Sequence, residues 1–367
     1  TFEATVDYAT GIRSADVVVV LVPLFTSKNH QPNFVALEDA TRGIGENLSP
    51  GSLVIYETTL PVGTTRRRWA KQLEEVSSMI EGDDFHVAYS PERVYSGSVF
   101  KDLGRYPKIV GGLSNTGESL AVDFYHQVLD FNSQNVLPPE ERVIAMGSAE
   151  AAEFVKLAET TYRDVNIGLA NQFAKFADRE GINLHQVIAA ANSQPSSHIH
   201  QPGVAVGGHC IPVYPHLYLW NDESATIVKA ARKENDSMPA YAVGQLAELL
   251  GGLMGRIVLV LGASYRGGVK ETAYSGVFSV VKELEAAGAT AYVDDPLFAQ
   301  AELEGLGLKP WDGRSRIDAL FLQSDHEQYR TLSYSNFPGL RAVYDGRRGL
   351  SPTSDFIFRR LGDPAAR

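Results

Sequence analysis

The chain has 367 residues, 44% of them hydrophobic, which suits a globular protein with two or three cores. Its formal net charge of −11, with no strongly basic segment to offset it, argues against a nucleic-acid partner, and the densest basic run, RRRW, Arg66 to Trp69, reads as a solvated helix face. No apolar run is long enough to span a bilayer, the first eleven residues lack a secretory pattern, and a single cysteine excludes both an internal disulfide framework and a cysteine-rich zinc site, so a cytoplasmic enzyme with no membrane partner and no metal is expected.

The first clear element is DVVVVLVP, Asp16 to Pro23. A continuous β-branched run reads as a strand buried on both faces of a parallel sheet. A helix is expected around 33–47, and a strand and turn over SLVIYETTLP, Ser52 to Pro61. A second helix follows over 64–80, then a strand running into a loop over FHVAYSPER, Phe85 to Arg93, and a fourth strand over PKIVGG, Pro107 to Gly112. The alternation predicts a doubly wound α/β domain over residues 1–147. A complete dinucleotide fold opens with strand, G-x-G-x-x-G, helix, and an acidic residue closing the next strand. Nothing of that kind precedes Asp16. The domain is therefore expected to lack its N-terminal half, to bind NAD weakly as it stands, and to follow a glycine-rich unit upstream.

From Ser148 the pattern becomes a long helix. Phe154, Ala158, Tyr162, Val165, Leu169, Phe173 and Phe176 recur at spacings of three and four, giving one continuous apolar face. With a shorter helix over 185–191 this predicts a helical middle domain, 148–237, whose stripe also suits a dimer seam. A second α/β domain is expected over 238–367. In it RIVLVLGASYRGG gives strand, glycine-rich turn and helix start, and TAYVDDP, DALFLQSDH and RAVYDGRR give further strand ends. Open α/β sheets bind ligands at such C-terminal strand ends.

Four local patterns carry chemistry. In QPGVAVGGHCIPVYP, Gln201 to Pro215, glycines crowd the residues before Cys210. Glycine lets backbone approach a ligand, and a cysteine there can serve as nucleophile; a tight turn around a buried thiol fits equally well. Lys156 and Thr160 lie four apart on a helix, off the apolar stripe, and alone they read as a solvated face. ETTLPVGTT, Glu57 to Thr65, places hydroxyls between a strand end and a helix start, which suits a bound anion or water and also ordinary capping. Glu92 of SPER is a candidate base or the partner of Arg93 in a surface ion pair.

The order of DVVVVLVP, ETTLPVGTT, SPERV, KLAETTYRDVNIGLANQFA, PGVAVGGHCIP, ARKENDSMP, LGASYRGGVKE, DDP, SDH and DGRR resembles the UDP-glucose/GDP-mannose dehydrogenase family over almost the whole chain, with its UDP-N-acetylmannosamine branch most similar. The resemblance implies two Rossmann-like domains joined by a helical middle domain, and the apolar stripe from Phe154 to Phe176 predicts a homodimer or larger oligomer built around the long helix. It also implies a four-electron oxidation of a nucleotide sugar, UDP-hexose or UDP-N-acetylhexosamine, by two NAD⁺, making a uronic acid for polysaccharide or glycoconjugate synthesis. Cys210 would form a thiohemiacetal and then a thioester, Lys156 would stabilise oxyanions, Thr59 would hold a water, and Glu92 would act in thioester hydrolysis. Substrate contacts would come from Gly207, Gly208, Arg266 and Arg347, cofactor contacts from Val22, Pro23, Thr59 and Glu92.

The chain departs from the family's pattern at several points. Thr160 stands where asparagine is usual, Tyr214 where aspartate is usual, and KETAYSG replaces D-D-x-R-E-S-P, with Ala273 for arginine and Gly276 for proline. VPLF replaces VPTP. Thr160, Tyr214 or His209 would have to take over the missing polar contacts. The alternatives are a two-electron dehydrogenase like that for 6-phosphogluconate, and a nucleotide-sugar binder without catalysis.

Overall fold

The computed structural model describes residues 2–27, 29–94, 98–132 and 136–364. A short helix, α1 (Tyr8–Ile12), precedes β1 (Val17–Val20). A small hairpin, β2 (Phe25–Thr26) and β3 (Pro32–Asn33), leads into α2 (Val35–Gly45). β4 (Leu53–Tyr56) continues through a wide helical turn, Thr65–Ala70, into α3 (Lys71–Ser77), and β5 (His86–Tyr89) is followed by α4 (Val99–Leu103). β6 (Lys108–Gly112), α5 (Asn115–Val128) and β7 (Val143–Ala145) complete a five-stranded sheet of order β1-β4-β5-β6-β7. Its pairs are parallel except β5 with β6, which run antiparallel.

Alternation along β4 shows why this sheet is covered on both sides. Val54 and Tyr56 pack with Val18, Leu37, Trp69, Leu73 and Val87, whereas Leu53 and Ile55 pack with Val110, Ala121, Tyr125 and Val143. Fully burying side chains of this size contributes roughly 1.5–3 kcal/mol each. The strand expected from DVVVVLVP is present, but as the edge strand it buries only Val18 and Val20 and leaves Val17 and Val19 half-buried, so the expected burial on both faces is incomplete.

The long helix, α6, spans Ala149–Glu180. After it come α7 (Leu184–Ala191), capped by the Asn183 side chain, α8 (Tyr214–Asn221), and α9 (Thr226–Leu250), which runs unbroken through Met238 with Pro239 inside it. β8 (Ile257–Leu261), α10 (Gly276–Ala286), β9 (Thr290–Asp294), α11 (Gln300–Gly305), β10 (Ala319–Leu322), β11 (Ala342–Asp345) and β12 (Ile357–Arg360) form a second sheet of order β12-β11-β10-β8-β9, parallel throughout. The chain after β9 crosses to the other side of β8, so β8 and β10 flank the switch point at which such sheets receive ligands. The chain divides into two compact units, Thr1–Thr161 with Val213–Ser224, and Tyr162–Pro212 with Ala225–Arg367.

Two expectations are corrected. No helix starts at the glycine-rich turn after β8; residues 262–275 form a loop, and α10 begins only where the Ser275 hydroxyl caps it. The second correction concerns α6. Its aromatic stripe points outward: Tyr162 is 58% exposed, Phe176 50%, Phe154 46%, Leu169 43% and Phe173 37%. The buried face carries small and polar residues instead, among them Glu153, Lys156, Thr160, Asp164, Gly168 and Asn171. Hydrophobic periodicity identified which residues share a face, but most of that face does not pack within the chain.

Candidate active site

In the first unit, the expected site residues converge at the C-terminal ends of the parallel strands β1, β4 and β5. The Thr58 hydroxyl donates to the Val22 carbonyl at 2.6 Å, tying the end of β4 to the segment after β1. Val22 is half-buried and Pro23 exposed. Thr59 is buried, and its hydroxyl has no hydrogen-bond partner among the described residues.

The loop after Thr59 is held from two sides. Asn221 of α8 reads both backbone groups of Val62, accepting from its N–H at 2.8 Å and donating to its carbonyl at 3.2 Å. Glu153 of α6 accepts from the Gly63 N–H, the Thr65 N–H at 2.8 Å and the Thr65 hydroxyl at 2.7 Å. The orphan N–H groups opening the helical turn are thus satisfied by a buried carboxylate from another helix, in place of the expected local threonine cap. Burial pushes Glu153 up to about 7, against the three donors that pull it down. The folded protein therefore keeps this proton to about pH 7, while the unfolded chain releases it near the ordinary 4.5. Stability from this group is full below about pH 4.5 and is lost as pH rises through about 7, on the order of 3 kcal/mol. Melting curves should show wild-type Tm falling across that window relative to Glu153→Gln. Parallel profiles for the two proteins would exclude the effect.

Lys156 lies one turn further along the same buried face. Its ammonium donates to the Glu92 main-chain carbonyl at 2.6 Å and sits 5.9 Å from the Tyr214 ring centre. The Glu92 carboxylate faces elsewhere. One oxygen accepts from the Arg93 and Val94 N–H groups at 2.5 and 3.0 Å, and the other pairs with Lys108 at 3.2 Å. Lys108 also pairs with Glu57 at 2.8 Å and lies 4.8 Å from the Tyr125 ring centre, and the Tyr125 hydroxyl donates to Glu57. Burial, then the Glu57 charge, raises the Tyr125 phenol well above its usual range. The Arg93 guanidinium pairs with Glu159 of α6 at 3.3 Å, so the expected Glu92–Arg93 side-chain pair does not form. Thr160 turns its hydroxyl to the Lys156 carbonyl of its own helix, at 2.8 Å.

Cys210 belongs to the second unit and is half-buried. The Gly208 N–H donates to the Ala273 carbonyl at 3.0 Å. Gly208 has φ +86°, and a Cβ on it would lie 3.0 Å from the Tyr265 ring, so both backbone conformation and space demand glycine. A Cβ on Gly207 would also meet Tyr265, at 2.7 Å. His209 is exposed, its ring centre 6.1 Å from that of Tyr274 in an edge-on arrangement. Arg347 donates to the Ala205 carbonyl at 2.7 Å and the Gln323 carbonyl at 2.8 Å, so its guanidinium staples the cysteine loop to the end of β10.

Arg266 is exposed at the β8–β10 switch point, in the loop following β8, with its Nε donating to the Tyr265 hydroxyl at 3.0 Å. That loop hangs on Asp295, which accepts from the Ala263 and Ser264 N–H groups and from buried His326 at 2.8, 2.9 and 3.0 Å. Burial opposes ionisation of Asp295, but the His326 and Ser264 hydrogen bonds win and lower its pKa. Among the described residues no cluster of histidine, cysteine and carboxylate side chains could hold a metal, and no helix is long and apolar enough to cross a membrane.

Comparison with known proteins identifies the family. Three domains of one family match the chain: the NAD binding domain over residues 1–129, the central domain over 150–237 and the UDP binding domain over 259–352. The UDP-N-acetyl-D-mannosamine dehydrogenase of Pyrococcus horikoshii is 34% identical over 97% of this chain and 83% of its own. The chain belongs to the UDP-glucose/GDP-mannose dehydrogenase family. A solved structure of UDP-D-ManNAc dehydrogenase from Pyrococcus horikoshii aligns with a TM-score of 0.85 at 32% identity, covering 97% of this chain and 83% of that one. The NDP-N-acetyl-D-galactosaminuronic acid dehydrogenase from Methanosarcina mazei Go1 aligns at 0.82 and 28%, covering 98% and 79%. The protein is an NAD-dependent nucleotide-sugar dehydrogenase, as its motif order implied.

Several residues packed around these positions are not legible in the sequence. Lys108 was visible only as a lysine inside the otherwise apolar strand PKIVGG, and Glu57 as the first letter of a motif read for its hydroxyls. Glu153 carried a signal in its place three residues before Lys156 on one helix face. Tyr125 carried none.

Proposed function

We propose that this dehydrogenase oxidises the C6 alcohol of a UDP-N-acetylhexosamine, with UDP-N-acetyl-D-mannosamine the first substrate to test, to the uronic acid in two steps through Cys210, for polysaccharide or glycoconjugate synthesis in the cytoplasm. The carrying observation is the chain's sole cysteine, half-buried at the end of a loop pinned by Gly208 and Arg347. The substrate is supported by the names of the relatives.

When bound, NAD⁺ would supply the hydride acceptor for both oxidations. Val22, Pro23, Thr59 and Glu92 would contact it. Their strand-end positions and the Thr59 hydroxyl, unpartnered among the described residues, fit its ribose and nicotinamide end, while residues 1–147 contain no G-x-G-x-x-G to cradle the pyrophosphate. The Cys210 thiolate adds to the aldehyde carbon; after loss of the second hydride the resulting thioester is hydrolysed, releasing acid and thiol. Lys156 supplies a buried positive charge for the oxyanions. Thr59 holds the water. Glu92 assists hydrolysis from a carboxylate already held by Lys108 and two N–H groups. Of the three substitutes for the missing polar contacts, Tyr214 is favoured, because its ring lies beside Lys156 whereas the Thr160 proton is committed to its helix.

The second α/β domain, 238–367, binds the UDP moiety near Arg266, with Gly207, Gly208, His209 and Arg347 contributing to the sugar side. Residues 1–147 and 148–237 form the NAD and middle domains. The stoichiometry of NADH per sugar, measured over a panel of nucleotide sugars, tests the reading. Two supports it; one or none would select the two-electron or the non-catalytic alternative.

The exposed face of α6 is read as the homodimer seam. Its aromatic row flanks a surface hollow of about 500 Å³ lined by Gln172, Phe173, Lys175, Phe176, Arg179 and Glu234, and an apolar row of this length marks an interaction site. Phe173→Asp with Phe176→Asp should turn a dimer into a monomer in sedimentation. A wild-type monomer at all concentrations would end the proposal.

A further inference from the structure

The ARKENDSMP motif, Ala231 to Pro239, has no role in the chemistry above. It lies on α9 where that helix crosses α6. At the crossing Gly168 faces Ala231 so closely that a Cβ on the glycine would lie 3.1 Å from the alanine Cα, and the absence of side-chain bulk lets polar residues on either side meet. Asp164 and Asn171 flank Gly168 on α6, Arg232 and Asn235 follow Ala231 on α9, and all four are buried.

They form a hydrogen-bond chain with one direction. Arg232 donates to the Asp164 carboxylate at 2.6 Å. The Asn235 amide donates to the same carboxylate oxygen at 2.8 Å and to the Asp164 carbonyl at 3.0 Å. The Asn171 amide donates to Asn235 Oδ1 at 2.8 Å, and Asn171 Oδ1 accepts from the Gly203 N–H at 2.9 Å. The end groups dictate every orientation between them. A peptide N–H can only donate, so Asn171 must present its oxygen to Gly203; its NH₂ then faces Asn235, whose own NH₂ faces a carboxylate. Gly203 opens the loop that ends at Cys210.

We propose that Asn171 and Asn235 are positioning residues for Cys210, fixing the start of its loop against an anchored Arg232–Asp164 ion pair, while Arg347 grips the loop at Ala205 and Ala273 at Gly208. The proposal rests on the reading of Cys210 as nucleophile. It explains why a motif on α9, 17 residues beyond Tyr214, the nearest proposed site residue in the sequence, carries both an arginine and an asparagine in buried positions. Ordered amide pairs of this kind rigidify because each group has a single satisfied arrangement.

The test compares Asn171→Ala and Asn171→Asp with a control, Leu246→Ala, which opens the core of the same unit without touching the chain. Asn171→Asp keeps the acceptor for Gly203 and sets an oxygen against Asn235 Oδ1. Because Cys210 is the only thiol, its iodoacetamide alkylation rate against pH reports the loop directly. Both Asn171 variants should shift that pH profile and lower kcat at least tenfold with KM for UDP-N-acetyl-D-mannosamine within threefold. The control should do neither at an equal loss of Tm. If the Asn171 profiles or kcat coincide with the control's, the residue is merely structural and the proposal fails. Cys210→Ser, run alongside, isolates the underlying reading: acid formation at the wild-type rate would remove the nucleophile, while alkylation of the wild-type and Asn171 proteins would still judge the loop.

Discussion

Cys210→Ser is expected to abolish formation of the uronic acid, by roughly 10³-fold or more, while leaving nucleotide-sugar binding within a few-fold of wild type. A four-electron oxidation requires a group that adds to the aldehyde and later departs, and a thiolate does both. Serine keeps the size and a hydrogen-bond donor. Its hydroxyl is almost wholly protonated near neutral pH, so it attacks slowly, and an ester formed on it would leave slowly. The half-buried position of Cys210 and the glycine loop that carries it do not depend on sulfur: Gly208 is fixed by its own φ and its N–H, and Arg347 grips backbone. The variant should therefore fold, bind and stall. Single-turnover NADH release, with mass spectrometry of the protein, reads the outcome. A first hydride without a second, or an accumulated serine adduct, would match the mechanism. Acid production at the wild-type rate would make the cysteine structural and the mechanism wrong.

How far the sequence could be read follows from the range over which each feature is encoded. β1 is legible because a β-branched run is local chemistry, and α7 because Asn183 caps it next in line. The cysteine loop is legible because its glycines, Cys210 and the helix start of α8 are contiguous. The buried pair of Lys108 with Glu57 is not, since it joins β6 to the end of β4 and needs Tyr125 from α5 beside it. Arg93 had an acidic neighbour in sequence and took Glu159 of α6 instead, a choice made by packing. The α6 stripe shows the same limit from the apolar side. Periodicity identifies which residues share a face, but Gly168 and Ala231 decide which face meets α9, and there the small side and its polar pairs win. The loop after β8 is not legible because a glycine-rich strand end resembles a phosphate-binding helix start. Here Asp295 and His326 gather the N–H groups of Ala263, Ser264 and Gly268 that such a turn would aim at a ligand.

Lys156→Ala should fail in a different way. The ammonium is buried on α6 and anchored on the Glu92 carbonyl at 2.6 Å, with the Tyr214 ring beside it. A fixed charge in a dry setting stabilises a developing oxyanion far more than it would in water, because it has no solvent shell to surrender. Both oxidations and the hydrolysis pass through such an oxyanion, so removing the charge should slow every step. The expected loss is on the order of 3–4 kcal/mol of transition-state stabilisation, a fall in kcat of about 10²–10³. Product composition should stay that of wild type, two NADH per sugar, since the nucleophile remains. Lys156→Arg should not restore the rate: its planar fork cannot reproduce a point charge aimed at one carbonyl. Stability provides the control. Losing Lys156 frees the Glu92 carbonyl, but Lys108 still holds the Glu92 carboxylate and Glu153 still holds the Gly63–Thr65 turn, so the Tm should fall only a few degrees. A Lys156→Ala enzyme that released one NADH per sugar, or that kept wild-type kcat, would remove the oxyanion role and leave the lysine as a tie between α6 and the loop after β5.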